Sequence, residues 1–252
     1  MSAIRAAVFD LDGTLVQTEV LKAQSYARAA AELRPGQVRA EDVLDVYHDY
    51  VGRSRNEVAA ALMARFDLRD AAAKRMAELG ASTPLDAYVA LRLRQYEAMI
   101  ADAKLLRAHE FPEAVALLRR MHGLGWPTAI ATMSHRAQAT VIVEQLGLAT
   151  LIDALVTVDD VAHPKPAPDI YLAAAAALHT DPHACFALED SVPGIRSALA
   201  AGMLVVAVTN ELTREAVHES GLLPKDRIVD DHARLESVVM PLVEGRMVGR
   251  PR

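Results

Sequence analysis

The chain has 252 residues, of which 52% are apolar, and its 27 basic and 33 acidic residues give a net charge of −6. This length fits one large domain or one domain with a sizeable insertion, and the apolar fraction excludes a disordered chain. The charge balance argues against a nucleic-acid partner, and the single Cys185 excludes a disulfide scaffold. Because no apolar stretch is long enough for a secretory signal or a membrane span, we expect a cytoplasmic protein without a membrane partner.

Six short apolar runs, each ending in polar residues and followed by a helical pattern, predict β-strands. Their continuous apolar character indicates strands that are buried on both faces of a parallel sheet. The predicted strands are Ile4–Phe9, Thr128–Ala131, Leu155–Val158, Cys185–Leu188, Val205–Val208 and, more weakly, Ile228–Val229. The predicted helices are Glu113–Leu124, Ala137–Leu146, Ile170–Leu178, Ile195–Ala201 and Ala233–Val243. This alternation indicates an α/β fold with a doubly wound parallel sheet, whose ligands lie at the carboxyl ends of the strands.

Residues 16–107 interrupt this alternation. The segment is rich in alanine, its apolar residues recur at helical spacing, and it contains no strand-like run. Within it, Thr83-Pro84-Leu85-Asp86 is typical of a helix start, with a capping hydroxyl, a proline at the first helical position and an acid at the third. We therefore predict a helical subdomain at 16–107, inserted into an α/β core made of residues 1–15 and 108–252.

The sequence Asp10-Leu11-Asp12-Gly13-Thr14-Leu15 follows the first predicted strand. Two carboxylates two residues apart can converge on one site if the chain turns there, and Gly13 gives the chain that freedom. The alternative is an ordinary surface turn, since Asp and Gly are common turn residues. The other strand ends decide between these two interpretations.

Three further strand ends carry polar side chains suited to a phosphate site. The second strand ends in Thr132-Met133-Ser134, where hydroxyls at a helix start can bind phosphate; Ser134 fits a plain helix N-cap better. After the third strand, Lys165 lies among three prolines that stiffen its loop, and the Lys165–Pro166 bond is a candidate for a cis peptide. The fourth strand ends in Glu189-Asp190. The four strand ends thus offer, in order, paired Asp, Thr, Lys and a pair of acids.

This set of motifs resembles the haloacid dehalogenase (HAD) superfamily, whose members carry the four motifs in this order. The resemblance covers most of the chain and is closest to the branch of β-phosphoglucomutases and small organophosphate phosphatases, in which a helical cap follows the first motif. It is carried by Lys165-Pro166-Ala167-Pro168-Asp169-Ile170-Tyr171, Glu189-Asp190-Ser191-Val192-Pro193-Gly194-Ile195 and Ala200-Ala201-Gly202-Met203. It implies a Rossmann-like HAD core with residues 16–107 as the cap.

The resemblance implies phosphoryl transfer through an aspartyl-phosphate. Asp10 is expected to attack phosphorus, and Asp12 to protonate the leaving oxygen and then to deprotonate the attacking water. Lys165 is expected to balance charge on Asp10 and on the phosphoryl oxygens, and Thr132 to donate a hydrogen bond to the phosphoryl group, with Ser134 as a further substrate-binding candidate. Because a halide leaving group needs no proton, Asp12 favours a phosphate ester over a haloacid as substrate.

Mg²⁺ is the implied cofactor, since it prefers oxygen ligands. The expected ligands are the Asp10 carboxylate, the backbone carbonyl of Asp12 and the Asp190 carboxylate. Glu189 is either a further ligand or a support behind the ligands. Because neighbouring strand residues point to opposite faces of a sheet, both acids can bind the ion only if the strand has already ended.

The cap is expected to select the substrate. Gly52-Arg53-Ser54-Arg55 resembles a cap loop that brings an arginine to a sugar phosphate in β-phosphoglucomutase-like proteins, and Arg55 falls on the matching position. The alternative is a solvated arginine. Gln17-Thr18, Lys22 and Tyr26 depart from the residues that mutases of this branch have there, which weakens a mutase interpretation.

We therefore predict a Mg²⁺-dependent HAD-type phosphoric monoester hydrolase that acts on a small phosphorylated metabolite, with a sugar phosphate as the favoured substrate class. A phosphomutase, in which a sugar hydroxyl replaces water as the acceptor, is the first alternative. A non-catalytic binding protein that has kept the fold is the second. The intact set of site residues argues against the second alternative.

Overall fold

The computed structural model describes residues 3–50 and 54–244. The described chain forms two compact units. One contains the residues up to Gln17 together with those from Ala103 onward, and the other is Thr18–Asp102. The sequence pattern predicts the insertion at 16–107, whereas the helix at Ala103–Arg107 groups with the first unit.

The first unit is built on a six-stranded parallel sheet. In chain order its strands are β1 (Ala6–Phe9), β2 (Thr128–Ala131), β3 (Ala154–Val156), β4 (Cys185–Glu189), β5 (Leu204–Val208) and β6 (Ile228–Val229). Their order across the sheet is β3-β2-β1-β4-β5-β6. Every residue of β1, β2, β4 and β5 is buried, as expected for strands covered on both faces. The predicted doubly wound α/β fold is therefore confirmed.

The structure ends β3 earlier than the sequence predicts. The predicted strand Leu155–Val158 is shortened because Val158–Asp160 forms a 3-10 turn. The Asp160 carboxylate accepts hydrogen bonds from the backbone N–H of Thr157 at 2.7 Å and from its hydroxyl at 2.9 Å. These bonds close the turn and divert the chain from the sheet.

The second unit, Thr18–Asp102, consists of six α-helices in its described residues. They are α1 (Thr18–Leu33), α2 (Ala40–Tyr47), α3 (Arg55–Arg65), α4 (Arg69–Lys74), α5 (Met76–Leu79) and α6 (Pro84–Ile100). Tyr88 and Leu91 of α6 are fully buried in the core of this unit. The predicted start of α6 is confirmed, because the Thr83 hydroxyl accepts a 3.1 Å hydrogen bond from the Asp86 N–H.

Seven α-helices follow in the described part of the first unit. They are α7 (Ala103–Arg107), α8 (Pro112–Gly123), α9 (Arg136–Gln145), α10 (Asp169–Ala177), α11 (Val192–Ala200), α12 (Arg214–Glu219) and α13 (Leu235–Glu244). α13 starts later than predicted because His232–Arg234 forms a 3-10 turn, which the Asp231 side chain caps. None of the helices among residues 3–50 and 54–244 is long and apolar enough to cross a bilayer.

The strand order positions the site. From β1 the chain moves outward through β2 and β3 on one side of the sheet, and it then returns to β4, beside β1, before moving outward through β5 and β6. The order therefore reverses between β1 and β4. In a doubly wound sheet this switch point, at the carboxyl ends of the strands, is where ligands bind.

Candidate active site

Asp10 follows β1 directly, and its two carboxylate oxygens have different surroundings. The Lys165 ammonium donates a 2.6 Å hydrogen bond to Oδ1. Oδ2 is buried and has no hydrogen-bond partner among the described residues. Burial raises the pKa of Asp10 to about 7, although the Lys165 charge lowers it. One oxygen is thus held in place while the other is kept out of water and unengaged.

Gly13 turns the chain immediately after this aspartate. Its φ of +89° lies in the left-handed region that favours glycine. Its N–H donates a 2.8 Å hydrogen bond to the Val16 carbonyl, which closes the turn. A Cβ at this position would lie 2.2 Å from Oδ2 of Asp190. Gly13 is therefore needed for the turn and also for the close approach of the Asp190 carboxylate.

Asp12 is held by two hydroxyls from the end of β2. The Thr132 and Ser134 hydroxyls each donate a 2.8 Å hydrogen bond to Oδ2 of Asp12. The Ser134 N–H in turn donates to the Thr132 hydroxyl at 3.0 Å. The structure thus brings three predicted site residues together. The expected contact from Thr132 to a phosphoryl oxygen stays a prediction.

The N-cap role predicted for Ser134 is wrong. α9 begins at Arg136, so His135 occupies the N-cap position, and its side chain makes no capping bond. The Asp159 carboxylate instead accepts a 2.8 Å hydrogen bond from the Arg136 N–H at the start of the helix, and a 2.7 Å contact joins it to His135 Nδ1. Because a residue 23 positions away caps the helix, the Ser134 hydroxyl is available to Asp12.

Lys165 reaches the site from the proline-rich loop before α10. The predicted cis peptide at Lys165–Pro166 is confirmed. The ammonium donates hydrogen bonds of 2.6 Å to Asp10 and 2.6 Å to Glu189, and one of 3.1 Å to the Ala131 carbonyl. Burial alone would lower the pKa of Lys165, but the charges of Asp10 and Glu189 raise it above its ordinary value. Lys165 therefore remains a cation between two buried acids.

Glu189, the last residue of β4, is fully buried and accepts hydrogen bonds on both oxygens. Oε1 accepts from Lys165 at 2.6 Å and from the Tyr171 hydroxyl at 2.7 Å. Oε2 accepts from the Asp190 N–H at 3.0 Å and from the N–H and hydroxyl of Ser191 at 3.2 and 3.1 Å. A carboxylate has about four lone-pair sites, so five donors occupy this one fully.

Asp190 lies just beyond the end of β4 and faces the first motif. Its Oδ2 accepts a 2.9 Å hydrogen bond from the Asn210 amide, which also donates to the Gly13 carbonyl at 3.2 Å. Burial, together with the nearby charges of Asp10 and Glu189, raises the pKa of Asp190 well above its ordinary value. The site therefore disfavours several negative charges unless a cation is bound.

These carboxylates fit a divalent cation. Among the described residues, Asp10, Glu189 and Asp190 form one buried group whose ligand oxygens all lie within 4.8 Å of one another. An all-oxygen set of this kind suits a hard cation such as Mg²⁺.

Two residues of the site were missed in the sequence. Asn210 follows β5 by two positions, so extending the strand-end argument to that strand would have found it. Tyr171 occurs in the proline-rich motif, but nothing in the local pattern assigns its hydroxyl to Glu189. Burial, with the adjacent Glu189 charge, raises the pKa of Tyr171 well above its ordinary value. Its hydroxyl therefore stays protonated and acts as a donor.

In the helical unit, Arg55 is the first residue of α3. Its backbone carbonyl accepts a 3.0 Å hydrogen bond from the Tyr26 hydroxyl. Burial lowers the pKa of Arg55, and the charge of nearby Arg92 lowers it further. The neighbouring Gly52 and Arg53 of the predicted cap loop lie outside the described residues.

Arg92, a residue with no motif in the sequence to single it out, is a buried cation on α6. Its guanidinium carbon lies 4.7 Å from the ring centroid of Tyr26 and 4.9 Å from that of Tyr96. Its Nε is buried and has no hydrogen-bond partner among the described residues. An arginine inside a predicted helix gives no sign of burial, because most arginines are exposed.

Comparisons with known proteins agree with this geometry. The family model for haloacid dehalogenase-like hydrolases matches residues 4–202. The validoxylamine A 7'-phosphate phosphatase of Streptomyces hygroscopicus subsp. limoneus is 31% identical over 222 residues, which are 88% of this chain and 93% of that protein. The protein CbbY of Rhodobacter capsulatus is 31% identical over 218 residues, 84% of this chain and 88% of CbbY.

Among solved structures, the crystal structure of a putative β-phosphoglucomutase from Thermotoga maritima shares the fold. It aligns with a TM-score of 0.74 and 24% identity, covering 94% of this chain and 98% of the other. The predicted family and the predicted class of enzyme are both confirmed. This chain belongs to the haloacid dehalogenase-like hydrolase family.

Proposed function

We propose that the protein is a Mg²⁺-dependent phosphatase that hydrolyses a small phosphorylated metabolite, a sugar phosphate, through an aspartyl-phosphate intermediate. The observation that carries the proposal is the asymmetry of Asp10. Lys165 holds Oδ1, while Oδ2 is buried and has no hydrogen-bond partner among the described residues. A nucleophilic carboxylate needs one such oxygen. The phosphatase name of the validoxylamine relative supports the reaction class.

In the first step, Oδ2 of Asp10 attacks phosphorus while the bond from phosphorus to the leaving oxygen breaks. The Asp12 carboxyl gives its proton to that oxygen, so the product leaves as an alcohol. Positioned proton transfer of this kind contributes about 10²–10⁴-fold in rate. The hydroxyls of Thr132 and Ser134 hold Asp12 for this transfer.

In the second step, a water oxygen attacks the phosphorus of the aspartyl-phosphate. The Asp12 carboxylate takes a proton from that water, and the bond between phosphorus and Asp10 breaks. Inorganic phosphate leaves, Asp10 is again a carboxylate and Asp12 is again protonated. Lys165 balances the charge of Asp10 in both steps from 2.6 Å.

Asp10, Asp190 and the backbone carbonyl of Asp12 would hold Mg²⁺. The ion would supply the positive charge that lets an anionic carboxylate approach an anionic phosphate. Asn210 orients Asp190 by its hydrogen bond to Oδ2. The raised pKa values of Asp10 and Asp190 support this assignment, since two buried acids ionise together more easily beside a cation.

Arg55 and Arg92 are our candidates for substrate recognition in the helical unit. Planar guanidinium groups suit phosphate and carboxylate oxygens. Burial and, after it, the nearby charge of Arg92 lower the pKa of Arg55, so Arg55 has a second cation in its surroundings. An anion would relieve their repulsion. A sugar phosphate, as opposed to an uncharged ester, fits this arrangement.

A phosphate-release screen tests the proposal. Purified protein with Mg²⁺ is incubated with a panel of phosphorylated sugars, and inorganic phosphate and sugar isomers are measured together. We expect phosphate release without an isomer. Isomer formation without phosphate would identify the phosphomutase alternative, and no reaction with any panel member or aryl phosphate would favour a binding protein.

Asp10→Asn is the matching variant. We expect kcat to fall by roughly 10⁴-fold or more, because an amide is not a nucleophile for phosphorus. The exposed Asp226 provides the control: Asp226→Asn should keep wild-type activity. If Asp10→Asn retains activity while both variants fold, the nucleophile is assigned wrongly.

A further inference from the structure

Tyr171 is a fully buried residue in the first turn of α10, and the proposed mechanism assigns it no task. Its hydroxyl donates a 2.7 Å hydrogen bond to Oε1 of Glu189. Its ring centroid lies 5.1 Å from the Lys165 ammonium. The same side chain therefore contacts both partners of the Lys165–Glu189 ion pair, one through its hydroxyl and the other through its ring.

The Glu189 carboxylate is fully buried and closely surrounded by hydrogen-bond donors and backbone. The Tyr171 hydroxyl contacts Oε1, the Ser191 hydroxyl and N–H contact Oε2, and Gly194 of α11 lies over both oxygens. A Cβ at Gly194 would lie 1.8 Å from Oε1. Close packing and full hydrogen bonding leave this carboxylate one position.

The fixed position of Glu189 determines which of the two consecutive acids, Glu189 or Asp190, can bind a metal ion. Glu189 holds Lys165 by a 2.6 Å hydrogen bond, and Lys165 holds Asp10 at the same distance. Asp190 accepts one side-chain hydrogen bond in the described part of the chain, from the Asn210 amide to Oδ2. Of Glu189 and Asp190, Asp190 is therefore the residue whose carboxylate can still coordinate a metal ion.

We propose that Tyr171 is a positioning residue whose hydroxyl holds Glu189 against Lys165 and keeps Glu189 out of the coordination shell of the metal. Through Lys165 it sets the position of Asp10. The inference rests on the proposed function. Of the two roles considered for Glu189, a further metal ligand or a support behind the ligands, it assigns the supporting role. It concerns the hydroxyl alone, since a phenylalanine ring would keep the contact with the ammonium.

Tyr171→Phe tests this role because it removes one oxygen and leaves the ring. We expect kcat about tenfold lower, a barrier increase of about 1.4 kcal/mol, with KM within twofold of wild type. Tyr88→Phe is the matched control: Tyr88 is equally buried and donates a 3.1 Å hydrogen bond to the Tyr26 carbonyl in the helical unit. It should lower Tm similarly and leave kcat within twofold. Equal kcat for both variants would overturn the proposal.

A double-mutant cycle shows whether Tyr171 acts through Glu189. In a Glu189→Gln background, Tyr171→Phe should lower kcat by less than threefold, because the charge that the hydroxyl stabilises is gone. A tenfold loss in that background as well would show that Tyr171 acts through another route, and the proposal would be wrong.

Calorimetric measurement of Mg²⁺ binding without substrate shows whether Glu189 supports the metal ligands or coordinates the ion itself. We expect the Kd for Mg²⁺ to stay within threefold in Tyr171→Phe and Glu189→Gln, and to rise at least tenfold in Asp190→Asn. A tenfold rise in Glu189→Gln would make Glu189 a ligand. If a variant does not fold, a crystal structure of the wild-type enzyme with Mn²⁺ decides: a Glu189 oxygen within about 2.5 Å of the ion refutes the proposal.

Wild-type turnover in the phosphate-release screen tests the proposed function separately. A wild-type enzyme without phosphatase activity would remove that function. An active wild-type enzyme with an unaffected Tyr171→Phe variant would remove only the role of Tyr171.

Discussion

Asp10 illustrates how one buried side chain can be costly to the fold and useful to the chemistry. It lies beside Glu189 and Asp190, and Lys165 is its cationic neighbour. Burial raises its pKa to about 7. An unfolded chain has an ordinary aspartate pKa of about 3.9. Between these values the unfolded chain releases a proton that the folded chain retains.

This difference predicts a pH-dependent stability. The contribution of Asp10 is fully present below about pH 4 and is lost as the pH rises to about 7. In EDTA, the free energy of unfolding of Asp10→Asn minus that of wild type should therefore increase over this range, by on the order of a few kcal/mol. Denaturant unfolding at several pH values measures it, with Asp226→Asn as the control. A difference that does not change with pH would contradict the prediction.

Arg92 is the second residue whose burial points to a ligand. Its guanidinium lies against the rings of Tyr26 and Tyr96, and its Nε has no hydrogen-bond partner among the described residues. Contacts with aromatic faces stabilise a buried guanidinium by about 2 kcal/mol. They do not replace the hydrogen bonds that it gives up on leaving water.

We predict that Arg92→Met raises KM about tenfold and changes kcat less than threefold, because one charged hydrogen bond to substrate is worth about 1.5–3 kcal/mol. Tm should change little, because the loss of the contacts with the two tyrosine rings is offset by the removal of a buried guanidinium whose Nε has no hydrogen-bond partner among the described residues. Arg94→Met, at an exposed position of the same helix with an ion pair to Glu32, is the control for KM. A large loss of Tm with an unchanged KM would make Arg92 a structural residue.

At the scale of elements, the turn after β1 brings two strand ends together. Gly13 adopts a φ of +89° beside Asp190, and Gly125 adopts a φ of +76° with nothing within 4 Å of its Cβ position. Both glycines are in the sheet-bearing unit. Both positions require a left-handed backbone, but only Gly13 lies against the Asp190 side chain. The two glycines therefore form a matched pair for substitution.

Gly13→Ala and Gly125→Ala should each lose about 1–2 kcal/mol of stability, the cost of a left-handed alanine. Only Gly13→Ala should also weaken Mg²⁺ binding, by at least tenfold, because its Cβ would displace Asp190. Calorimetric Mg²⁺ titration and Tm measure the two effects. Equal Mg²⁺ affinities would show that Asp190 moves aside without loss.

The start of α9 shows a limit of prediction from the local sequence. A hydroxyl before a helix predicts an N-cap, yet Asp159 supplies the bond to the first turn and Ser134 donates to Asp12. The two choices are both chemically reasonable. Which one occurs depends on residues brought close by the sheet.

At the scale of the whole molecule, the proposed ligand residues Asp10 and Asp190 directly follow β1 and β4, on the two sides of the switch point. Neither belongs to Thr18–Asp102. A bound ion would therefore join two parts of the sheet-bearing unit that are 180 residues apart in the chain. Its effect on stability should be concentrated there.

We predict that Mg²⁺ raises Tm in a concentration-dependent way. At a Mg²⁺ concentration of 100 times its Kd, the free energy of unfolding should increase by about 2.7 kcal/mol. Hydrogen exchange should slow most in peptides that contain Asp10–Thr14 and Glu189–Ser191. Peptides from α4 and α5 should change little below the global unfolding limit. Uniform protection of the helical unit by Mg²⁺, or none at the two strand ends, would contradict the proposed ligands.

The sequence by itself determined the α/β sheet, the family and the residue types at the strand ends. Strands buried on both faces need continuous apolar runs. The Asp, Thr and Lys residues that follow these runs can each be recognised in the sequence separately. β2 and β6 have the predicted limits, whereas β3 is shortened by hydrogen bonds of Asp160.

Only the tertiary structure decided which atoms meet. It joins Lys165 to Asp10 across 155 positions and Thr132 to Asp12 across 120. It also brings Asn210 to Asp190, and Tyr171 to Glu189. The physical reason is that a periodic pattern encodes which face of an element is buried, whereas a hydrogen bond depends on the distance and direction between atoms of different elements. Packing alone sets those quantities.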